Sequence, residues 1–308
     1  MVENLTLEKM SCGINGYTNE QFSQLFARLE GVGGSSEQLI TLDVSYRLGG
    51  QELRPRGRLT LSHSGQFRCG VCDRLCKKLF DGFCYPCLQT SAQADRCVLN
   101  PVGCHYMQGT CREPRWGEEF CYQPHYVYLS YTDKFKVGIT RVGQVPTRWI
   151  DQGATMAVLV ARVGSRHQAG LLEALLSLHY SDKSHWLKML KSGNSRPTTL
   201  EFESVRTHAI DLIKANLSCE TGGKYRAPVS DMLMKANEVS LLEEAVWAEI
   251  EYPLWSTIPE KISSLNLEKT PTISSEIFGV KGQYLFLEQG VFNVRRHEGY
   301  VVACDFQC

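Results

Sequence analysis

Two Cys-x-x-Cys pairs constrain the fold of this chain more than any other feature. Cys69 and Cys72 form the first pair, Cys84 and Cys87 form the second, and 11 residues separate the two pairs. Each pair lets two thiolates approach one ion from a tight turn, and two pairs complete the tetrahedron that zinc prefers. The sequence therefore predicts a compact finger with a structural zinc ion, because four thiolates leave no position open for a substrate.

A second group of cysteines follows the two pairs. The chain has 13 cysteines, nine of them between Cys69 and Cys121. The candidate ligands of a second zinc ion, at intervals of six, six and nine residues, are Cys97, Cys104, Cys111 and Cys121, with His105 or His125 as possible substitutes. Buried free cysteines are the alternative. An iron–sulfur cluster is less expected here because no Cys-x-x-Cys-x-x-Cys run is present.

The absence of export and membrane signals supports metal-bound thiols rather than disulfides. No apolar run approaches the roughly 18 residues that a membrane span needs, and the N-terminus does not resemble a signal peptide. We therefore expect a cytoplasmic protein with no membrane partner, and in that reducing compartment clustered thiols bind metal. The segment Gly222-Gly223-Lys224 lacks the full phosphate-loop pattern, so no nucleotide cofactor is expected.

Length and patterning predict an α+β protein with several domains. The chain has 308 residues, with 43% hydrophobic and 21% charged side chains. We divide it into an N-terminal α+β region (1–66), a cysteine-rich zinc module (67–124), a central domain (125–195), a helical region (196–252) and a small antiparallel β domain (253–308). The net charge is zero, so the overall charge does not point to nucleic acid. Residues 44–78 nevertheless carry eight basic and two acidic side chains, a local charge of +6.

The central domain opens with two runs that alternate apolar and polar residues. Val127 and Leu129 share one face of the first predicted strand, and Tyr126, Tyr128 and Ser130 share the other. A second strand over 136–140 repeats the pattern after a turn at 132–134. Period-two alternation is typical of strands that bury one face. We therefore expect the phenols and the Lys136 ammonium to lie on the unburied face.

Helix signals follow these strands. A short helix carries Arg148 and Trp149, and Gly153 is placed to end it. A third strand over 157–163 precedes a helix that begins with the capping box of Ser165 and Gln168 and places its leucines on one side.

Patterns in the flanking regions complete the secondary-structure prediction. Capping boxes predict helices near residues 19–30 and after Ser240. Strands are predicted over 40–46 and 58–61, joined by the Gly49-Gly50 turn, and four more between 276 and 303. On the last group, Lys281, Tyr284, Arg295 and Arg296 form either a polyanion-binding face or ordinary strand surface.

The order of strands and helices over 125–180 resembles the GIY-YIG nuclease fold. Val127-Tyr128 matches the first signature, and Lys136-Val137-Gly138 stands where the second belongs. Arg148 matches the arginine of the following helix, and Glu173 the metal-binding glutamate of the next. The chain departs from the signatures at Tyr126, which replaces a glycine, and at Lys136, which replaces a tyrosine. Asn194 is a candidate for the family's asparagine.

Most of the chain also resembles a bacterial family labelled domain of unknown function twenty-seven ninety-seven. The segments that carry this resemblance are GFCYPC at 82–87, GTCREPRWGE at 109–118, KVGITR at 136–141, PTRWIDQGA at 146–154 and GVKGQYL at 279–285.

The nuclease resemblance implies cleavage of phosphodiesters in DNA or RNA. Glu173 would hold Mg²⁺ or Mn²⁺, and Arg148 would stabilise charge on the transition state. Tyr128 would orient or deprotonate the attacking water, with Lys136 as the neighbouring cation and His125 as an alternative base.

Two other functional readings are compatible with the sequence. One is a zinc-containing protein that keeps the nuclease fold and binds DNA or RNA without cutting it. The other is a protein-interaction module with structural zinc.

Overall fold

A computed structural model describes residues 3–14, 21, 38–183, 185–218, 239–242, 246–258 and 261–307. It shows an α+β protein built on two curled mixed sheets. The strands in chain order are β1 Glu3–Thr6, β2 Ser11–Ile14, β3 Gln38–Leu48, β4 Gln51–Glu52, β5 Arg58–Arg68, β6 Leu75–Cys76, β7 His125–Tyr131, β8 Phe135–Arg141, β9 Met156–Val163, β10 Ser240–Leu241, β11 Val246–Glu251, β12 Ser264–Leu265, β13 Thr272–Lys281, β14 Tyr284–Leu287, β15 Gly290–Asn293 and β16 Tyr300–Gln307. The helices are α1 Tyr85–Thr90, α2 Arg96–Leu99, α3 Pro114–Phe120, α4 Thr147–Asp151, α5 Arg166–Leu176, α6 Trp186–Lys191 and α7 Thr199–Ser218.

The first sheet contains the central strands of the sequence prediction. Its order is β2-β3-β11-β9-β7-β8, with β4 and β10 paired at its side. The hairpin of β7 and β8 turns at 132–134, as predicted, and β8 lies at the sheet edge. Strand β11 pairs in parallel with β3 and antiparallel with β9. This parallel pairing brings chain segments about 200 residues apart into one sheet.

The second sheet joins the N-terminal part of the chain to its end. Its order is β1-β16-β5-β13-β14-β15-β12, with β6 paired to β5. Strands β13, β14 and β15 form the predicted antiparallel meander, whereas β16 leaves it to pair with β5 and β1. Strands β3 and β5 lie in different sheets, because β3 turns at Gly49-Gly50 into the short β4 instead. Strand pairing therefore crosses the boundaries predicted between the five regions.

The two sheets share one apolar core. This core contains Val44 of β3, Tyr126 and Tyr128 of β7, Leu61 of β5 and Ile273 of β13. A second core lies on the other face of the first sheet, where α5 and α7 cover Val127 and Leu129. Both faces of β7 are therefore buried.

This double burial overturns one expectation. The face predicted to be unburied is buried, and its members are Tyr126, Tyr128, Ser130, Lys136 and Thr140. The residues alternate as predicted, but Tyr126 and Tyr128 on this face pack in the core that the two sheets share.

The capping box at Ser165 is confirmed, because the Ser165 side chain accepts a hydrogen bond from the Gln168 backbone N–H. Gly153 ends α4 with a left-handed φ of 73°. The helix predicted after Ser240 is wrong, because Val246–Glu251 is strand β11. The helix predicted near 19–30 falls almost entirely outside the described residues, and the loop 222–224 falls wholly outside them.

Lys281 does not belong to an exposed polyanion-binding face. It is fully buried, and its Nζ donates to the Met189 carbonyl at 2.8 Å, to Ser192 Oγ at 3.1 Å and to the Gly193 carbonyl. These acceptors lie at the C-terminal end of α6, where the Lys281 amino group donates to orphaned carbonyls, and burial lowers the pKa of Lys281 to about 7.

Candidate functional site

Tyr128 and Gly138 form a tightly fitted cross-strand pair at the centre of the β7–β8 hairpin. The two residues are direct partners in the antiparallel register. A Cβ at position 138 would lie 2.6 Å from both Cζ and Oη of Tyr128. Because no side chain fits at that distance, Gly138 leaves the space that the Tyr128 ring occupies.

Gln152 connects Tyr128 to Arg148. With its amide nitrogen facing the phenol, Gln152 donates to Tyr128 Oη at 2.9 Å. Its Oε1 then accepts from Nε and Nη2 of Arg148, both at 3.1 Å. Sequence reasoning missed Gln152. The signal available was its position at the C-cap of α4, one residue before Gly153.

The Tyr128 phenol is protonated at neutral pH. Burial raises the pKa of Tyr128 to about 12, although the Arg148 guanidinium acts in the opposite direction and the Glu173 carboxylate adds to the rise. The side chain has no exposed surface. It therefore fits the role of a hydrogen-bonding partner that holds other groups in place.

Lys136 and Glu173 lie close enough to affect each other's ionisation. Burial lowers the pKa of Lys136, Arg148 lowers it further, and Glu173 and Asp182 oppose the shift. Burial raises the pKa of Glu173, whereas Arg166, Arg148 and Lys136 lower it. Tyr128 and Lys136 are thus both within electrostatic range of Arg148 and Glu173, and these four residues come from four different elements.

These four side chains differ in their access to solvent. Tyr128 is 0% exposed and Lys136 is 6% exposed, whereas Arg148 and Glu173 are partly exposed. Lys136 lies on edge strand β8, where its backbone forms an isolated parallel β-bridge with Ser181, in the segment that follows α5. Arg148 and Glu173 are therefore the two groups that a bound molecule can reach.

His125 lies apart from this group. It shares the face of β7 that carries Val127 and Leu129, opposite Tyr128. Its Nδ1 lies 2.6 Å from the Gln123 carbonyl, and burial lowers its pKa to about 4. Asn194 is also apart: its side chain pairs with both the backbone N–H and the carbonyl of Tyr252, each at 3.1 Å.

The first cysteine set has the geometry of a single-ion site. The ligand atoms of Cys69, Cys72, Cys84 and Cys87 all lie within 4.8 Å of one another. The Sγ atoms of Cys72 and Cys84 are 3.7 Å apart. Tetrahedral zinc with bonds of about 2.3 Å places its sulfurs about 3.8 Å apart. This donor set and spacing fit a zinc ion.

Backbone amides prepare the first cysteine set for a metal. Burial raises the pKa of Cys69, but N–H groups of Cys72, Cys84 and Val71 outweigh it and bring the pKa down to about 6. A hydrogen bond with the neighbouring Cys84 thiol is the main reason that the pKa of Cys87 rises to about 12. Ion binding at this set therefore displaces at least one proton.

The second cysteine set has a different geometry. Cys97, Cys104, Cys111 and Cys121 line one cavity together with Trp116 and Gly117. Among the described residues, these four thiols do not form a group with ligand atoms all within 4.8 Å. Of the two predicted substitutes, His105 lines the same cavity, and His125 is in neither metal-sized group that the described residues contain.

None of the described helices combines the length and the apolar character that crossing a membrane requires.

Comparisons with curated proteins and with solved structures gave no match. One family model, described as Protein of unknown function (DUF2797), matches residues 57–302, which is well over half of the chain. The chain therefore belongs to this family.

Proposed function

We propose that this protein is a metal-dependent, GIY-YIG-like endonuclease that cleaves phosphodiesters in DNA or RNA. The supporting observation is that Arg148 and Glu173 act electrostatically on both Tyr128 and Lys136, at one edge of the first sheet. Gln152 also joins Tyr128 to Arg148 by hydrogen bonds. We also propose that Cys69, Cys72, Cys84 and Cys87 hold a structural zinc ion, for which their spacing is suited.

In this proposal Arg148 and Glu173 are the residues that face the bound substrate. Glu173 offers one carboxylate to Mg²⁺ or Mn²⁺, an ion that would add positive charge beside the scissile phosphate. Arg148 would donate hydrogen bonds to the phosphoryl oxygens, where negative charge develops in the transition state. Tyr128 positions Arg148 through Gln152, and Lys136 offsets part of the cost of burying Glu173.

The test is cleavage of supercoiled plasmid and of structured RNA with Mg²⁺ or Mn²⁺ by wild-type protein and by Arg148→Ala and Glu173→Gln. We expect each variant to lose roughly 10²–10³-fold in rate, the scale for removing one preorganised electrostatic contact. Matched controls are Lys191→Ala and Glu288→Gln, which change exposed charges away from the site. Full activity in both site variants would rule out this assignment.

A second function, nucleic-acid binding without cleavage, is favoured by the surface around the first cysteine set. Arg74, Lys77 and Lys78 are exposed there. Phe80 is 38% exposed and Tyr85 is 62% exposed, with their ring centroids 6.0 Å apart. Cations beside exposed rings suit unpaired bases, which stack on aromatic side chains while phosphates pair with lysine and arginine.

Binding of labelled single-stranded RNA and DNA at several salt concentrations tests this second function. We expect Tyr85→Ala to weaken binding by about 1–3 kcal/mol if a base stacks on the ring. Affinity should also fall as salt rises, because phosphate contacts release counterions. Leu99→Ala, at a residue that is 90% exposed, is the apolar control. Salt-independent binding, or no binding, would exclude the function.

A further inference from the structure

The second cysteine set comes from separate local elements that converge on one cavity. Cys97 lies in α2, Cys104 follows the 3₁₀ turn Pro101–Gly103, Cys111 precedes α3, and Cys121 is the C-cap of α3. The cavity is completed by side chains that include Tyr106 and Trp116. Four thiols around one largely apolar cavity form a ligand set without an assigned ligand.

The spacing of these thiols does not suit a single ion. A tetrahedral zinc ion requires all its sulfurs at about 3.8 Å from one another. The first cysteine set meets this requirement within the 4.8 Å limit, and among the described residues the second set does not. Both sets belong to the same short module, so the spacing of the thiols in the second set can be compared directly with that in the first set.

A smaller group within this cavity already has its partners. Ligand atoms of Asp95, Cys97 and His105 lie within 4.8 Å of one another. However, Asp95 Oδ2 accepts from Arg112 Nε at 2.8 Å, and Asp95 Oδ1 accepts the Cys97 N–H that begins α2. The guanidinium supplies the positive charge that an ion would otherwise provide, so this group is an ion pair.

The cavity has a volume of about 20 Å³, above the roughly 10–15 Å³ that one water needs. Arg166 is tied to this module, because its backbone N–H donates to the Cys121 carbonyl at 2.8 Å and its Nη2 to the Val98 carbonyl at 2.6 Å.

We propose that Cys97, Cys104, Cys111 and Cys121 bind a [4Fe–4S] cluster, with one thiolate on each iron. The irons and sulfides of such a cluster occupy the corners of a cube, and each iron binds one thiolate outside it, so the four thiolates lie further apart than around a single ion. The missing Cys-x-x-Cys spacing then has a physical reason, because the ligands are spread over α2, the end of the 3₁₀ turn and the two sides of α3. This cluster is independent of the endonuclease proposal and is separate from the zinc ion at the first set.

The full-length protein, produced with added iron and purified without oxygen, provides the test. We expect about four irons and four acid-labile sulfides per chain, together with about one zinc. We also expect broad visible absorption that bleaches on reduction and a paramagnetic signal from the reduced cluster. Two zinc ions without iron, or no iron and sulfide even after chemical reconstitution, would overturn the proposal.

Single substitutions assign the metals to their ligands. Cys104→Ser and Cys111→Ser should lose most of the iron and sulfide but keep the zinc, whereas Cys72→Ser should lose zinc and keep iron. Cys76→Ser is the control, because Cys76 belongs to neither set and should change neither metal. Loss of zinc but not iron in Cys111→Ser would contradict the assignment. If a variant is insoluble, the iron and sulfide content of the wild-type protein still decides the question.

Discussion

At the scale of single residues, the close approach of the Tyr128 ring explains why position 138 is a glycine. We expect Gly138→Ala to lower the free energy of unfolding by about 1–3 kcal/mol, because its methyl group would overlap the Tyr128 ring. Urea denaturation followed by tryptophan fluorescence measures this loss. Gly143→Ala is the matched control, since no atom lies within 4 Å of a Cβ built there. Equal stability of both variants would contradict the contact.

His297 predicts a pH dependence of stability. Burial lowers the pKa of His297, although the hydrogen bond between its Nδ1 and the Asn293 carbonyl, at 2.8 Å, acts in the opposite direction. Its Nε2 accepts from the Leu267 N–H at 3.3 Å. Only the neutral ring can accept at Nε2. The folded state therefore binds fewer protons than the unfolded state, whose histidine has a pKa of about 6.5. The contribution to stability is complete above that pH and is lost as the pH falls through the lower pKa of the folded state.

The measurement is the urea midpoint of wild-type and His297→Gln proteins between pH 8 and pH 5. We expect the wild-type protein to lose on the order of 1 kcal/mol more than the variant over this range. The variant should already be less stable at pH 8, because it loses the contact to Asn293. Parallel pH profiles for the two proteins would show that His297 titrates normally.

At the scale of elements, helix α5 is fitted against the cysteine module at Gly170. A Cβ at this position would lie 2.5 Å from Pro101 Cβ and 3.3 Å from the backbone of Val102. Alanine raises helix propensity by about 1 kcal/mol, but overlap with a rigid proline costs about 1–3 kcal/mol. We therefore expect Gly170→Ala to lower the thermal midpoint.

A double-mutant cycle checks the cause of that loss. Pro101→Gly removes the Cβ that the new methyl group meets, so it should be less harmful in the Gly170→Ala background than in the wild type. Additive effects of the two substitutions would show that the helix and the turn do not press on each other.

Local sequence patterns predicted a structural element correctly where residues close in the sequence determine its conformation. The capping box of Ser165 and Gln168 and the turn at 132–134 need no distant partner, and both were found. The segment after Ser240 has an equally good capping box, but Val246–Glu251 is held as a strand by β3 and β9 on its two sides. Long-range pairing outweighed the local preference for helix.

The sequence likewise predicted some features of the candidate site and not others. Residue types and order identified Tyr128, Lys136, Arg148 and Glu173, and Arg148 and Glu173 act electrostatically on both Tyr128 and Lys136. The burial of Tyr128 was not predictable, because this residue packs in the core that the two sheets share. Gln152 was missed because a glutamine at a helix end carries no recognisable spacing.

At the scale of the whole molecule, the shared core predicts that the central region does not fold alone. A fragment of residues 125–195 would expose Tyr126, Tyr128 and Trp149, which pack in the core between the sheets, and would leave β9 without β11. We expect a fragment without cooperative unfolding and with poorly dispersed amide resonances. The full-length protein is the control. A sharp thermal transition in the fragment would show that the region is an independent domain.

Arg166 links the cysteine module to the proposed active site. Its backbone and guanidinium are bonded to the cysteine module, and its charge influences Glu173. If both sites bind as proposed, the factor by which a filled cysteine cavity changes the affinity of Glu173 for a divalent cation must equal the factor by which that cation changes the affinity of the cavity for its metal. Cation titrations at the sheet edge thus report on the cysteine cavity, and the retention of metal in that cavity reports on the sheet edge. Under the two proposals, loss of metal from the module would change the affinity of Glu173 for a divalent cation through this shared free energy.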